Sequence, residues 1–212
     1  MRTTTLMASA ALAFTGSAAS AASIVNGSFE IGPAPGVFTT LGTGNTSITG
    51  WTVTAGTIDY IGSYWTAQDG LRSLDLAGNS PGAISQTFAT VIGQTYTISY
   101  WVGRNPDGGL DPRTGFIDVG GAQTQFIYSG SGDRTNMRWE REIFNFTATG
   151  ASTTLTFSAD PQTAGQFYGP ALDNVSIGVP EPTVWALLIL GFGVVGGALR
   201  RNAARQPQLR FT

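Results

Sequence analysis

The chain has 212 residues, of which 13 are acidic and 11 are basic, and its formal net charge is −2 at pH 7. Every basic residue is arginine, and the sequence has no histidine, cysteine or lysine. These absences exclude a Ser-His-Asp triad, a histidine-ligated zinc site, a thiol nucleophile and a lysine Schiff base, and the acidic central region argues against nucleic acid as a partner.

The N-terminal segment, residues 1–22, predicts a secretory signal peptide. Arg2 supplies the positive start, an apolar stretch follows at 6–14, and small residues at 19–22 form a cleavage site. The chain is therefore expected to leave the cytoplasm. Because it has no cysteine, its stability outside the cell must come from packing and not from disulfides.

Residues 23–178 predict one all-β domain of about 155 residues, which is large enough for a complete core. Glycine-punctuated segments rich in Thr, Ser and aromatic residues are typical of a two-sheet β-sandwich or jelly roll, here of about ten strands. The clearest strand is Thr95–Val102, in which every second residue is large and apolar. Other strands are predicted at 51–54, 57–61, 72–76, 83–88, 115–119, 125–128, 144–148, 154–157 and 172–177.

Three tryptophans, Trp65, Trp101 and Trp139, are candidates for stacking on the faces of sugar rings, because each lies in a polar stretch. Core packing is the alternative for each of them, and Trp51 is expected in the core. Among the acids, Glu140 and Glu142 would share one side of a strand. Nothing in the sequence pairs Asp59, Asp69 or Asp75, so an enzyme is not expected.

The C-terminal segment, residues 179–212, predicts an anchor. An apolar run of about 17 residues at 183–199 would be roughly 26 Å long as a helix, enough to span a bilayer marginally. The run lies between a Pro-Glu-Pro motif (Pro180, Glu181, Pro182) and a basic end (Arg200, Arg201). This arrangement resembles the PEP-CTERM sorting signal of exported bacterial proteins. The resemblance implies recognition by the transpeptidase exosortase, an inner-membrane-anchored precursor, and a final place at the cell surface or in the extracellular matrix.

The central domain itself resembles a known family. The segments that carry the resemblance are 26–30, 48–53, 58–61, 69–76, 81–88 and 169–175. They are similar to the choice-of-anchor C family of bacterial surface proteins, which is related to the galactose-binding-like jelly rolls. The resemblance implies a fold and a surface address, but no activity.

Jelly rolls of that class commonly hold a structural Ca²⁺ between the first and last strands. The resemblance places Glu30 and Asp173 at those two positions, and carboxylate oxygens are the ligands that Ca²⁺ requires. The alternative is that Asp173 caps a turn and Glu30 pairs with an arginine. No other cofactor is expected.

The sequence therefore predicts a non-enzymatic surface or matrix protein that binds glycan or exopolysaccharide, since PEP-CTERM signals accompany exopolysaccharide production in the organisms that use them. Three alternatives stay open: a structural or adhesive matrix protein without a small ligand, an ice-binding protein, and a glycoside hydrolase. A cleft lined by aromatic rings would favour glycan binding, and a flat surface would favour the structural role.

Overall fold

The computed structural model describes residues 22–108, 110–165, 167–179 and 182–203, with side chains of the last segment described at 188–197 and 200. Nearly all of the predicted signal peptide, residues 1–21, lies outside the described residues. The same is true of Pro180 and Glu181, and of the side chains of Pro182 and Arg201.

The described parts of the chain contain eleven strands and two helices, joined by loops. The strands are β1 (Phe38–Gly42), β2 (Thr52–Ala55), β3 (Thr57–Ile61), β4 (Ser73–Asp75), β5 (Ala83–Ala89), β6 (Thr95–Arg104), β7 (Arg113–Val119), β8 (Ala122–Tyr128), β9 (Glu140–Thr147), β10 (Ser152–Ala159) and β11 (Pro170–Gly178). The helices are α1 (Pro161–Ala164), which Asp160 caps by accepting from Gln162 N, and α2 (Pro182–Ala203).

The strands form two antiparallel sheets that pack face to face. One sheet has six strands in the order β1-β3-β4-β11-β6-β9, and the other has five in the order β2-β5-β10-β7-β8. The predicted all-β two-sheet sandwich is confirmed. The strand β1 was not predicted, and it forms the edge of the six-stranded sheet by pairing with β3.

The core lies between the two sheets and follows the predicted alternation. In β6 the side chains of Tyr96, Ile98, Tyr100 and Val102 are all buried. Trp51 is 2% exposed, as expected for a core residue. Rings from both sheets meet edge to face in this core, where such contacts add to the gain from burying apolar area.

The outer face of the six-stranded sheet is not simply solvated. A second apolar cluster of Ile61, Trp65, Met137 and Ala171 lies on it, with Tyr64 and Trp139 packed against the cluster. These residues bring the β3–β4 loop (62–72) and the β8–β9 loop (129–139) down onto the sheet. We call these two segments the covering loops.

The C-terminal segment forms the helix α2, which includes the run at 183–199 that was predicted to cross a membrane. Within the described residues, no helix combines the length and the apolar character that a membrane crossing requires.

Candidate functional site

A cleft of about 350 Å³ opens on the outer face of the six-stranded sheet, beside the covering loops. Five aromatic side chains line it: those of Phe38 on the edge strand β1, Tyr64 and Trp65 on a covering loop, and Phe167 and Tyr168 before β11. Phe38 and Phe167 are 44% and 49% exposed. The cleft therefore presents aromatic surface to solvent, contributed by three distant parts of the chain.

The aromatic walls are fixed in place by contacts with one another and with the backbone. The rings of Phe38 and Tyr64 meet edge to face, with centroids 5.3 Å apart. Phe167 has a φ of 72°, a left-handed conformation that is strained for a bulky residue, and its N–H donates to Gly78 O at 2.9 Å. Such strain persists only where surrounding contacts hold it, and it is concentrated at functional sites.

Arg134, Asp107 and Tyr64 form a closed polar network at one wall. Arg134 Nε donates to Asp107 Oδ1 at 3.0 Å, and Arg134 Nη2 donates to the Tyr64 hydroxyl at 2.8 Å. That hydroxyl donates to Asp107 Oδ2 at 2.5 Å, and this hydrogen bond is the main reason that the pKa of Tyr64 is raised. The guanidinium also lies 4.1 Å from the centroid of the Tyr64 ring. Arg134 and Asp107 thus neutralise each other within the site.

Two carboxylates that the sequence could not pair lie side by side at the floor. Asp59 on β3 is directly opposite Asp75 on β4, and both point to the outer face. Thr40 Oγ1 donates to Asp59 Oδ1 at 2.5 Å, while burial raises the pKa of Asp59. Burial, helped by the nearby Asp59, raises the pKa of Asp75 to about 7. Of these two carboxylates, only that of Asp59 lines the cleft, because Asp75 is completely buried.

Asn105 connects the buried Asp75 to the cleft walls. Its Nδ2 donates to Asp75 Oδ2 at 2.8 Å and to Phe167 O at 2.9 Å, and its Oδ1 accepts from Asp107 N at 3.0 Å. Asp75 Oδ1 also accepts from Gly169 N at 2.9 Å, just beyond the aromatic pair. One buried side chain therefore positions two segments of the wall.

The structure places the three predicted tryptophans differently from one another. Trp65 lines the cleft but is only 4% exposed, with its Nε1 donating to Ser73 Oγ at 2.8 Å, so little of its ring is open to a ligand. Trp139 is partly buried and donates to Thr66 O at 3.1 Å. Both belong to the outer cluster. Trp101 lies on the outer face of β6, outside the cleft, and the three rings form no common platform.

Glu30 and Asp173 each accept hydrogen bonds from the β3–β4 covering loop. Glu30 Oε1 accepts from the backbone N–H groups of residues 71 and 72 at 2.8 and 2.7 Å. Asp173 Oδ2 accepts from those of residues 68 and 69 at 2.7 and 3.0 Å. Across the described residues, no three acidic side chains are grouped so that they could hold a metal ion. A calcium ion shared by this pair stays a prediction.

The sequence reasoning missed most of the cleft. Of its lining residues, only Trp65 was a candidate for stacking on a sugar; Asp59 was considered only as an unpaired acid. The one local feature of the sequence that could have indicated the cleft was Tyr64, which lies next to Trp65 in a polar stretch. Phe38, Arg134 and Phe167 carry no motif, and they meet only because the loops fold over the sheet.

Comparison with known sequences places the central domain in a family. A family model described as "Protein of unknown function (DUF642)" matches residues 22–178. Halomucin of Haloquadratum walsbyi is 35% identical over 161 residues, which cover 73% of this chain and 2% of halomucin. The chain thus spans about 2% of the length of the curated relative that it matches. These matches do not test the resemblance to the choice-of-anchor C family or to the PEP-CTERM signal, which stay predictions.

Among solved structures, this chain is similar to carbohydrate-binding modules. A family 61 module in complex with β-1,4-galactotriose has a TM-score of 0.45 and 14% identity, covering 73% of this chain and 96% of the module. A family 35 module from Paenibacillus barcinonensis has a TM-score of 0.43 and 18% identity, with 67% and 99% covered. A family 16 module has a TM-score of 0.44 and 19% identity, with 73% and 98% covered. Scores at this level carry no argument about the ligand of this chain.

Proposed function

The chain belongs to the DUF642 family of proteins of unknown function, and we propose that it is a non-enzymatic exported protein that binds a glycan in the cleft of the six-stranded sheet. The observation that carries the proposal is the cleft itself. It is a preformed concave site in which exposed rings stand beside polar groups, in a protein whose composition excludes most catalytic machinery.

The size and lining of the cleft suit a sugar. A volume of about 350 Å³ is at the lower end of the range for small-molecule sites. The C–H faces of a pyranose pack on aromatic rings, and Phe38, Phe167 and Tyr168 offer such rings at the cleft surface. Asp59, Asn79 and Arg134 line the same space and can exchange hydrogen bonds with sugar hydroxyls.

The carboxylates of the site support binding over hydrolysis. A glycosidase needs two carboxyl groups that both reach the scissile bond. Asp75 is fully buried beneath the floor, and Asp107 is paired with Arg134 at 2.8 Å. Asp59 is therefore the one cleft carboxylate among the described residues that has no partner of opposite charge, and it lacks the second acid that the reaction requires.

The export and sorting of the protein are part of the proposal and rest on sequence alone. The signal peptide at 1–22 would direct the chain out of the cytoplasm. The tail would then present Pro180, Glu181 and Pro182 to an exosortase, which would place the domain at the cell surface or in the exopolysaccharide matrix. A cell in which the exosortase is deleted should retain the unprocessed chain; processing that is unchanged in such a cell would contradict the sorting proposal.

The ligand proposal is tested by measuring the affinity of the purified chain for defined oligosaccharides, first on an array and then by calorimetry. Tyr168→Ala removes one wall of the cleft, and we expect it to weaken binding about tenfold, which corresponds to about 1.4 kcal/mol. Trp101→Ala is the matched control, because it removes an aromatic ring from the same sheet face outside the cleft.

Each outcome of this experiment is informative. Loss of affinity in the Tyr168 variant with an unchanged Trp101 variant supports the cleft. The reverse pattern moves the site to the open part of the sheet. If no oligosaccharide binds, a structural matrix protein without a small ligand becomes the better account. Melting curves of both variants establish that each is folded.

A further inference from the structure

The cleft contains one charge that nothing neutralises. Its charged lining residues are Asp59, Asp107 and Arg134. Asp107 and Arg134 form an ion pair with a distance of 2.8 Å, and Asp107 also accepts from Tyr64. In the described parts of the chain, the only other ion pair joins Arg104 to Asp111, so Asp59 has no cationic partner.

Asp59 is oriented for an external donor. It is 9% exposed, and its Oδ1 accepts from Thr40, while its Oδ2 takes part in no hydrogen bond with the described residues. Oδ2 is not completely enclosed by the protein and remains in contact with solvent. A carboxylate that is nine-tenths buried and has a free, accessible oxygen at the floor of a cleft is poised to accept from a ligand.

The surroundings of Asp59 favour a positive ligand over a neutral or negative one. The fully buried Asp75 lies directly opposite it and adds to the negative potential of the floor above about pH 7, where Asp75 is ionised. Aromatic rings line the space above the floor, and the negative face of an aromatic ring attracts cations. A uronic acid or sulfated sugar would bring a second negative charge into this low-dielectric site, with Arg134 already engaged by Asp107.

We infer that the cleft selects a glycan that carries a primary ammonium, that is, a de-N-acetylated amino sugar, whose nitrogen donates to Asp59 Oδ2 between the rings of the cleft. This inference rests on the proposed function and specifies the chemical class of its ligand. An ammonium offers three donors, enough to bond Asp59 and a neighbouring hydroxyl together, and a hydroxyl in the same place would forgo the ionic contribution.

The experiment compares four tetramers by calorimetry on the full chain: β-1,4-linked glucosamine, its N-acetylated form, cellotetraose, and tetragalacturonate. We expect the glucosamine tetramer to bind about tenfold more tightly than cellotetraose, with tetragalacturonate the weakest. Asp59→Asn should remove most of that preference, because asparagine keeps the oxygen that accepts from Thr40 but loses the charge. Glu140→Gln is the control for net charge, since Glu140 is exposed and outside the cleft.

The results separate this inference from the proposed function. A preference for glucosamine that disappears in Asp59→Asn and persists in Glu140→Gln supports the inference. Equal binding of the glucosamine tetramer and cellotetraose overturns it and leaves glycan binding intact. Failure of all four tetramers, together with a negative array, overturns the proposed function. Tetralysine serves as the last probe, because it carries ammonium groups but no sugar. If tetralysine binds as tightly as the glucosamine tetramer and loses the same affinity in Asp59→Asn, the assignment to a glycan is overturned.

Discussion

Asp173 holds the β3–β4 covering loop, and its replacement by alanine is expected to destabilise the domain strongly. The side chain is completely buried. Its Oδ2 accepts from Gln68 N at 2.7 Å and from Asp69 N at 3.0 Å, and its Oδ1 accepts from Asn174 N at 2.6 Å. Three backbone donors from two segments therefore depend on one carboxylate.

The expected magnitude follows from the two bonds that hold the covering loop. Alanine leaves the N–H groups of Gln68 and Asp69 without their acceptor, and an unsatisfied buried polar group costs about 1–3 kcal/mol. Gln68 is only partly buried and Asp69 is exposed, so we expect a total near the lower end of the sum, about 3 kcal/mol. Asp173→Asn keeps one accepting oxygen, and its cost should be about 1 kcal/mol.

Urea unfolding at pH 8, followed by tryptophan fluorescence, measures these differences directly. Trp65 and Trp139 lie on the covering loops and pack in the outer cluster against the sheet, so their emission also reports local opening. Glu140→Gln, an exposed carboxylate on an edge strand, should change the free energy of unfolding by less than about 0.5 kcal/mol. A cost below that level for Asp173→Ala would show that the apolar cluster alone holds the loop, and the reasoning would be refuted.

Three further predictions concern metal, pH and backbone conformation. If calcium bridges Glu30 and Asp173, the melting temperature should rise with calcium and fall with EDTA; an unchanged melting curve would count against the site. Burial raises the folded-state pKa of both Asp75 and Asp173 to about 7, above the unfolded value, so the folded state binds more protons between those values. Stability should then fall as pH rises from about 4 to about 7 and level off above, and a flat urea midpoint over that range would contradict this. Gly56 has a φ of 53°, and an added Cβ would collide with a backbone carbonyl, so Gly56→Ala should cost about 2 kcal/mol in urea unfolding, whereas Gly42→Ala, with open space, should cost almost nothing.

The parts of the fold that the sequence predicted well are those governed by local alternation. β6 shows a regular alternation of large apolar and small polar residues, and its apolar face is the buried face. β1 was missed because Phe38–Gly42 has no such alternation, is followed by further glycine, and forms an exposed edge. A strand with one buried residue leaves almost no periodic signal.

The outer face of the six-stranded sheet shows where local patterns are insufficient. Asp59, Asp75 and Asp173 lie at strand positions that alternate with apolar residues, which ordinarily indicates a solvent-facing side. The structure covers that side with loops, and all three carboxylates are buried. Trp65 is buried for the same reason, since it is the ring that fastens a covering loop to the sheet.

The cleft could not be predicted because it depends on contacts between remote segments. Phe38, Tyr64, Arg134 and Phe167 come from one edge strand and three different loops. Each has an ordinary local sequence, and loop positions are set by tertiary contacts that no spacing rule encodes. A sequence can indicate that aromatic residues are abundant, but which of them share a wall is a property of the folded chain.

Stability and binding are connected in this domain through its buried acids. A chain that is rich in glycine and has no disulfide must order its long loops by other means, and here carboxylates under the loops accept their backbone N–H groups. Asp75 accepts from Gly169 N directly and also from Asn105 Nδ2, which donates in addition to the carbonyl of the strained Phe167 at the cleft wall. Because these bonds form on folding, the wall is in place before any ligand arrives, and binding incurs little of the entropic cost of ordering a loop. The acidic residues that make the floor negative are thus also part of what keeps the cleft open.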